Sequence, residues 1–246
     1  SASFRPVTQV LAQRFPATIE LSIFAMVIAI VLGIPLGIIS ATRKDEMVDH
    51  FTRIFSLAGV SMPIFWFAIM LKYVLFYQMK INGLPYLPPG YRYSDVTFRD
   101  FTPVTGFMLI DSLVFAHDIR LFIDSLLHLA MPAFCLGYLT LAIITRMMRS
   151  SMLEVLTEDY ITLARSKGLK ERTVIYKHAL RNALIPTVTV IGLAFGGLIT
   201  GAVLTETIFQ WPGLGRWATR AILYADLAAI NGFTLLVAMI FVTANL

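Results

Sequence analysis

The chain has 246 residues, 57% hydrophobic and 14% charged, with a mean hydropathy of +0.75; these values exclude an ordinary soluble domain and specify an integral membrane protein. The formal net charge is +5, but the basic residues cluster beside apolar runs without an interleaved aromatic platform, so topology accounts for them and nucleic acid is not an expected partner. The single cysteine, Cys135, rules out an intrachain disulfide.

Residues 1–16 are mixed and amphipathic, with Phe4, Val7, Val10 and Leu11 available for one apolar face at the membrane surface. The first span is expected at 17–41, where Glu20 is the only formal charge and Gly33, Pro35 and Gly37 weaken the second half. A short charged loop, 42–53, leads to a second span at 54–79 that contains Pro63 and Lys72. A charge at the bilayer centre is costly, so Lys72 is expected to snorkel toward the far end.

Residues 80–124 form an external insertion rich in Pro, Gly and Tyr, in which 101–116 is apolar but too short to span comfortably and is expected to re-enter or lie on the surface. A third span at 125–148 precedes a polar, basic cytoplasmic loop at 149–186. The fourth span, 187–208, carries Gly192, Gly196, Gly197 and Gly201, spaced for close helix packing or for a moving gate. An external stretch from Gln210 to Asn231 leads to a fifth span at 231–246. Ser1 is not a methionine and Leu246 lies inside an apolar run, so further segments are expected at both ends.

Eight of the 20 Lys and Arg residues fall between Arg146 and Arg181. The proposed internal stretches, 42–53 and 146–182, hold 11 Lys and Arg in 49 residues, whereas the external 1–20, 80–124 and 206–226 hold 8 in 86. That density places the 149–186 loop in the cytoplasm. No G-x-x-x-x-G-K-[ST] stretch cradles a nucleotide, the four histidines show no metal-ligand spacing, and no G-x-S-x-G elbow or acid and base pair is evident. No catalytic site, metal or cofactor is expected within this chain.

Within the loop, Thr157 is a candidate N-cap, with Glu158 and Asp159 in the first turn, and Gly168 a C-terminal stop in a left-handed conformation. Tyr160, Leu163, Ala164 and Lys167 recur at i, i+3, i+4 and i+7, so they share one side of a short helix with Ala164 as its small centre and Arg165 at the rim. That side either receives a partner or packs on the protein's own helices. Glu206, Trp211 and Pro212, at the end of the fourth span, read either as an interfacial anchor and turn or as the external mouth of a pathway.

The residues Glu158, Asp159, Tyr160, Ala164, Arg165, Lys167 and Gly168, followed by His178, Arg181, Asn182 and Pro186, resemble the cytoplasmic loop of permease subunits in binding-protein-dependent ABC importers of the dipeptide, oligopeptide and nickel branch. ETIFQWPGLG at 206–215 and RPVTQVLAQRFPATIEL at 5–21 resemble the same family. The resemblance implies an all-α polytopic integral membrane protein of the type I importer transmembrane fold, with five of six helices represented, the other preceding Ser1, in a single permease domain of the cell (inner) membrane. It also implies coupling helices in 157–186, with Glu158, Asp159, Tyr160, Leu163, Ala164, Arg165, Lys167 and Gly168 contacting a separate ATPase. The implied partners are a second homologous permease subunit, two ATPase subunits holding ATP and Mg, an external substrate-binding protein and membrane lipid. Di- or oligopeptides are the expected substrates, with nickel, oligosaccharides or a secondary transporter as alternatives. Two departures, ADLAAING at 225–232 and the long 80–124 insertion, leave binding-protein docking and substrate open.

Overall fold

The computed structural model of the protein describes residues 6–94, 97–98 and 101–244, which form helices and loops with no strand among the described residues. In chain order the helices are α1 (Val7–Thr42), α2 (Met47–Ser61), α3 (Ile64–Ile81), α4 (108–115), α5 (Ile119–Val155), α6 (Asp159–Ser166), α7 (Glu171–Ile208), α8 (Leu214–Leu223) and α9 (Leu227–Ala244). Widened π-helical turns occur in α3 at Tyr73–Gln78, in α4 at Asp111–Phe115 and in α7 at Val174–Ala179. Among the described residues, α1, α3, α5 and α7 are long and apolar enough to cross a membrane, and α9 is a shorter apolar helix. The expected all-helical, polytopic architecture is what the chain adopts.

Several boundaries differ from the expectation. α1 starts at Val7, so Val7, Val10 and Leu11 belong to the same helix as the first span rather than to a separate surface segment; Phe4 lies outside the described residues. Pro16 and Pro35 sit within α1 without ending it, a tolerance typical of membrane helices. The expected 54–79 span is two helices. Met62 takes the extended conformation (φ −80°, ψ 132°) that a following proline favours, and Pro63 itself is extended, so α2 stops before α3 begins. The expected third and fourth spans lie within the longer α5 and α7, and the 210–231 stretch holds a helix, α8. A Cβ at Gly192, Gly197 or Gly201 would meet no atom of another element within 4 Å among the described residues, so the expected close packing at these three glycines is not made there.

The chain divides into two compact units. The first comprises Ser1–Ala25, Pro63–Leu136 and Gly196–Leu246. Its apolar centre includes Ala68, Met131, Cys135 and Phe209. The 80–124 insertion is fastened to this unit rather than left as a free loop. Glu20, 4% exposed, pairs with Arg92 and accepts the Leu109 N–H at 2.9 Å. Asp111 is fully buried because it accepts the backbone N–H groups of Val104, Thr105 and Gly106 together with the Thr105 hydroxyl. These bonds satisfy the carboxylate inside the insertion, and the helix there, 108–115, is too short to span. Lys72, expected to snorkel, donates to the Ile208 carbonyl at 3.1 Å and lies 5.8 Å from the Phe209 ring centroid. It caps the C-terminal end of α7, where a cation is favoured.

The second unit comprises Met26–Met62 and Gly137–Phe195. Its core gathers Ile38, Ala41, Met148, Met152, Ile161, Ala164, Val174, Ala179 and Ala183. α2 is inverted relative to a helix of a soluble protein. Asp49, Thr52, Ser56 and Gly59 are buried, while Phe51, Ile54, Leu57 and Val60 on its other side are exposed at 41–68%. Small and polar residues inside with apolar residues outside is the pattern expected where lipid or another apolar surface takes the place of water. Gly37 sits at a tight crossing, since a Cβ there would fall 2.6 Å from Met148 Cβ and 2.8 Å from the Thr145 carbonyl oxygen.

Candidate functional site

The polar, basic loop at 149–186 folds around α6. Its N-cap is Glu158, in extended conformation, and not Thr157, whose hydroxyl donates to the Glu154 carbonyl at 2.7 Å. The hydroxyl is turned back onto the preceding turn, and the first amides of α6 receive no side-chain cap. Asp159 stands in the first turn and Arg165 in the last, each complementing the helix dipole. Gly168 has φ +77°, so the left-handed stop is present. Its N–H donates to the Arg165 carbonyl at 2.9 Å and that of Leu169 to the Ala164 carbonyl at 3.4 Å.

The chain then turns into α7, and two contacts hold the hairpin closed. Arg165 grips Glu171 with two hydrogen bonds, Nη2 to Oε1 at 2.8 Å and Nε to Oε2 at 3.2 Å. Asn182 Nδ2 donates to the Tyr160 hydroxyl at 2.7 Å. The loop therefore carries its own bracing, although exposed ion pairs of this kind contribute only about 0–1 kcal/mol each.

The side of α6 expected to dock is divided. Ile161 is fully buried and Ala164 is 7% exposed, both packed in the core of the second unit. Ala164 is therefore an internal packing residue and not the small centre of an outward face. Tyr160 and Leu163 are 38% and 55% exposed, and Lys167 is exposed beside them. The helix is rotated so that the 161/164 edge faces inward and a Tyr160–Leu163–Lys167 ridge faces out. Four apolar residues over 160–164, Tyr160, Ile161, Leu163 and Ala164, make both edges eligible from sequence.

Sequence reasoning missed the brace behind this loop. Asp49 is fully buried and accepts from Ser40 Oγ at 2.5 Å, the Asp45 N–H at 3.1 Å, and Arg149 Nε and Nη2 at 2.7 and 2.8 Å. It joins the end of α1, the start of α2 and the part of α5 that leads to α6. The available signal was the stripe of small and polar residues at 49, 52, 56 and 59, which marks the inner side of α2.

The other candidate region belongs to the first unit. Glu206 is fully buried, accepting from the Thr18 hydroxyl at 2.6 Å and the Arg216 N–H at 3.0 Å, while Thr18 in turn accepts the Leu214 N–H at 2.8 Å. Trp211 is 1% exposed, and its Nε1–H donates to the Ala17 carbonyl at 2.8 Å. The Pro212 carbonyl faces Arg14 Nη1 at 3.4 Å. These side chains pin the 209–216 turn and α8 to α1. They do not line an open mouth, because each polar atom is consumed by an internal partner, and the anchor-and-turn alternative is the one the geometry supports.

The inner membrane component of binding-protein-dependent transport systems is the family whose model matches residues 33–246. The dipeptide transport system permease protein DppB of Escherichia coli (strain K12) is 47% identical over 242 residues, covering 98% of this chain and 70% of that protein. The peptide transport system permease protein SapB of Salmonella typhimurium (strain LT2) is 33% identical over 241 residues, covering 97% and 73%. In fold, the chain resembles a crystal structure of an amino acid ABC transporter with histidines, with a TM-score of 0.60 at 12% identity over 96% of this chain and 90% of that one. With its apolar spans and its basic 149–186 loop, this chain belongs to the family of inner membrane components of binding-protein-dependent transport systems.

Proposed function

We propose that the protein is the permease subunit of an ATP-driven importer for di- or oligopeptides, forming the translocation path with a second homologous permease subunit. An external binding protein delivers substrate, and two ATPase subunits, which hold the ATP and Mg, dock on the α6 hairpin. The carrying observation is the exposed Tyr160–Leu163–Lys167 ridge on a short helix whose other edge is locked into the core of the second unit. In this reading Leu163 and Tyr160 provide apolar contact and Lys167, Glu158 and Asp159 the charged rim. Ala164 and Ile161 fasten the helix to its own protein, Arg165 braces the hairpin through Glu171, and Gly168 sets its turn.

A docked ATPase biases the spans only through contacts that differ between their inward-facing and outward-facing states. A helix rigidly attached to the core transmits such a difference, and a loose loop would not. Glu206, Trp211 and Pro212 act as the clamp that keeps α8 on α1. The relatives named above are described as dipeptide and peptide permeases, which favours peptides over nickel or oligosaccharides.

The test is co-purification and uptake. Leu163→Asp should insert at normal yield but lose most of the co-purifying ATPase and of peptide uptake. Full retention of the ATPase by this variant would refute the docking assignment.

A further inference from the structure

A cavity of about 500 Å³ in the second unit is lined by His50, Arg53, Ile54, Leu57, Arg146 and Arg149. The α2 residues recur at i, i+3, i+4 and i+7, and Arg146 and Arg149 follow one another at i, i+3 on α5, so two helix faces converge on it. The charges there are unequal in availability. Arg149 is engaged by Asp49, which is sealed from solvent. Arg53 and Arg146 are exposed and form no ion pair among the described residues. Beside them Ile54 and Leu57 are 67% and 60% exposed on the outward, apolar side of α2.

We propose that this cavity binds the headgroup phosphate of an anionic phospholipid from the cytoplasmic leaflet, with Arg53 and Arg146 on the phosphate oxygens and an acyl chain along Ile54 and Leu57. Guanidinium groups match phosphate oxygens in planar, two-point contacts, and basic pockets between membrane helices on the cytoplasmic side suit such headgroups. The apolar flank separates a lipid from free phosphate, which would satisfy the arginines but leave Ile54 and Leu57 uncovered. The lining residues named above include three arginines and no carboxylate, which separates an anionic from a zwitterionic lipid, because a choline or ethanolamine group would meet guanidinium there. A lipid held there contacts the same α5 segment that the Asp49 brace fixes ahead of α6.

The test uses the intact transporter, purified in neutral detergent, stripped of lipid and re-supplied with phosphatidylglycerol, cardiolipin or phosphatidylcholine, with bound lipid read by native mass spectrometry. Phosphatidylglycerol and cardiolipin should be retained in preference to phosphatidylcholine, and retention should weaken with salt. Arg53→Gln combined with Arg146→Gln should weaken retention roughly 30-fold, about fivefold for each arginine. The single Arg53→Gln variant gives a second reading if the double variant assembles poorly. Equal retention of phosphatidylcholine, or unchanged retention in the single variant, overturns the proposal. So does full competition by millimolar inorganic phosphate, which identifies a soluble-anion site. Loss of a bound subunit from the double variant, with lipid retention unchanged, identifies a protein contact and also overturns it.

Discussion

The Arg149 guanidinium meets Asp49 through two parallel hydrogen bonds, at 2.7 and 2.8 Å, and the carboxylate has no exposure to solvent. The pair sits where α1, α2 and α5 converge, so it fixes three helices with one charge interaction. Replacing Arg149 leaves a buried carboxylate without its counter-charge, whereas replacing Asp49 frees a guanidinium that is partly exposed and can reach water.

Arg149→Gln should accordingly destabilise the protein by about 3–5 kcal/mol, and Asp49→Asn by less. The melting temperature of the detergent-solubilised protein checks the order. The Arg149 hydrogen bond, assisted by Ser40 and the Asp45 N–H, holds the Asp49 carboxyl well below the usual carboxylate range against the opposing effect of burial. Because the folded value is depressed, this stabilisation is fully present above the ordinary Asp value near 3.9 and is lost as pH falls through the lowered one. The stability gap between wild type and Asp49→Asn should therefore be constant near neutral pH and begin to close only below about pH 5.

At Gly168 a side chain would meet no described atom within 4 Å, so substitution strains the backbone alone. Gly168→Val should cost the left-handed conformation, about 1–2 kcal/mol, reopening the turn while insertion proceeds. Gly168→Asn, which tolerates that conformation, should stay near wild type. Uptake of labelled dipeptide against ATP hydrolysis in proteoliposomes measures the coupling: hydrolysis should persist and uptake fall for Val, and normal uptake in the Val variant would contradict the role given to the turn.

Ala164 and Leu163 are adjacent in sequence yet predicted to fail differently. Ala164→Trp forces a large ring into a site that is 7% exposed, and overpacking of this kind destabilises by roughly 1–3 kcal/mol or more, so membrane yield should drop. Leu163→Asp changes an exposed position, so yield should hold and ATPase retention should fall. Quantifying inserted protein and co-purified ATPase side by side separates the two; equal yields would mean that the inner edge of α6 is looser than its burial indicates.

Glu206 and Thr18 are predicted to matter for stability rather than for substrate. Glu206→Ala leaves the Thr18 hydroxyl and the Arg216 N–H without their buried acceptor, a loss of about 1–3 kcal/mol, and Trp211→Phe removes the tie that its indole N–H makes to the Ala17 carbonyl of α1. Both should lower the melting temperature, while the affinity of the surviving transporter for peptide stays unchanged. A shift in peptide affinity at full stability would restore the mouth assignment for these residues.

Helix type and the long apolar runs were legible from hydropathy, because stretches such as 17–41 and 187–208 favour helix in a bilayer, whereas the break at Met62–Pro63 and the helix at Leu214–Leu223 were not. The left-handed Gly168 was legible because glycine between two periodic segments has few other uses. The inner side of α6 was not, since Tyr160, Ile161, Leu163 and Ala164 satisfy two helical faces at once and only the position of Met148, Met152 and Val174 chooses between them. The Asp49 brace was hidden for a related reason. A charged residue in a polar stretch reads as solvated, and nothing local reveals that Arg149, 100 positions later, closes over it.

The Glu20–Arg92 contact gives the long 80–124 insertion a second home in the sequence. Its shape depends on a carboxylate that arrives more than 60 residues earlier, inside a membrane helix, so shortening it or exchanging it with that of a related transporter is a two-site operation. A graft lacking an equivalent of Arg92 would leave Glu20 without its guanidinium partner in a sealed pocket. One that kept Arg92 over an apolar position 20 would strand the guanidinium instead, so the segment and the first helix have to be transplanted together.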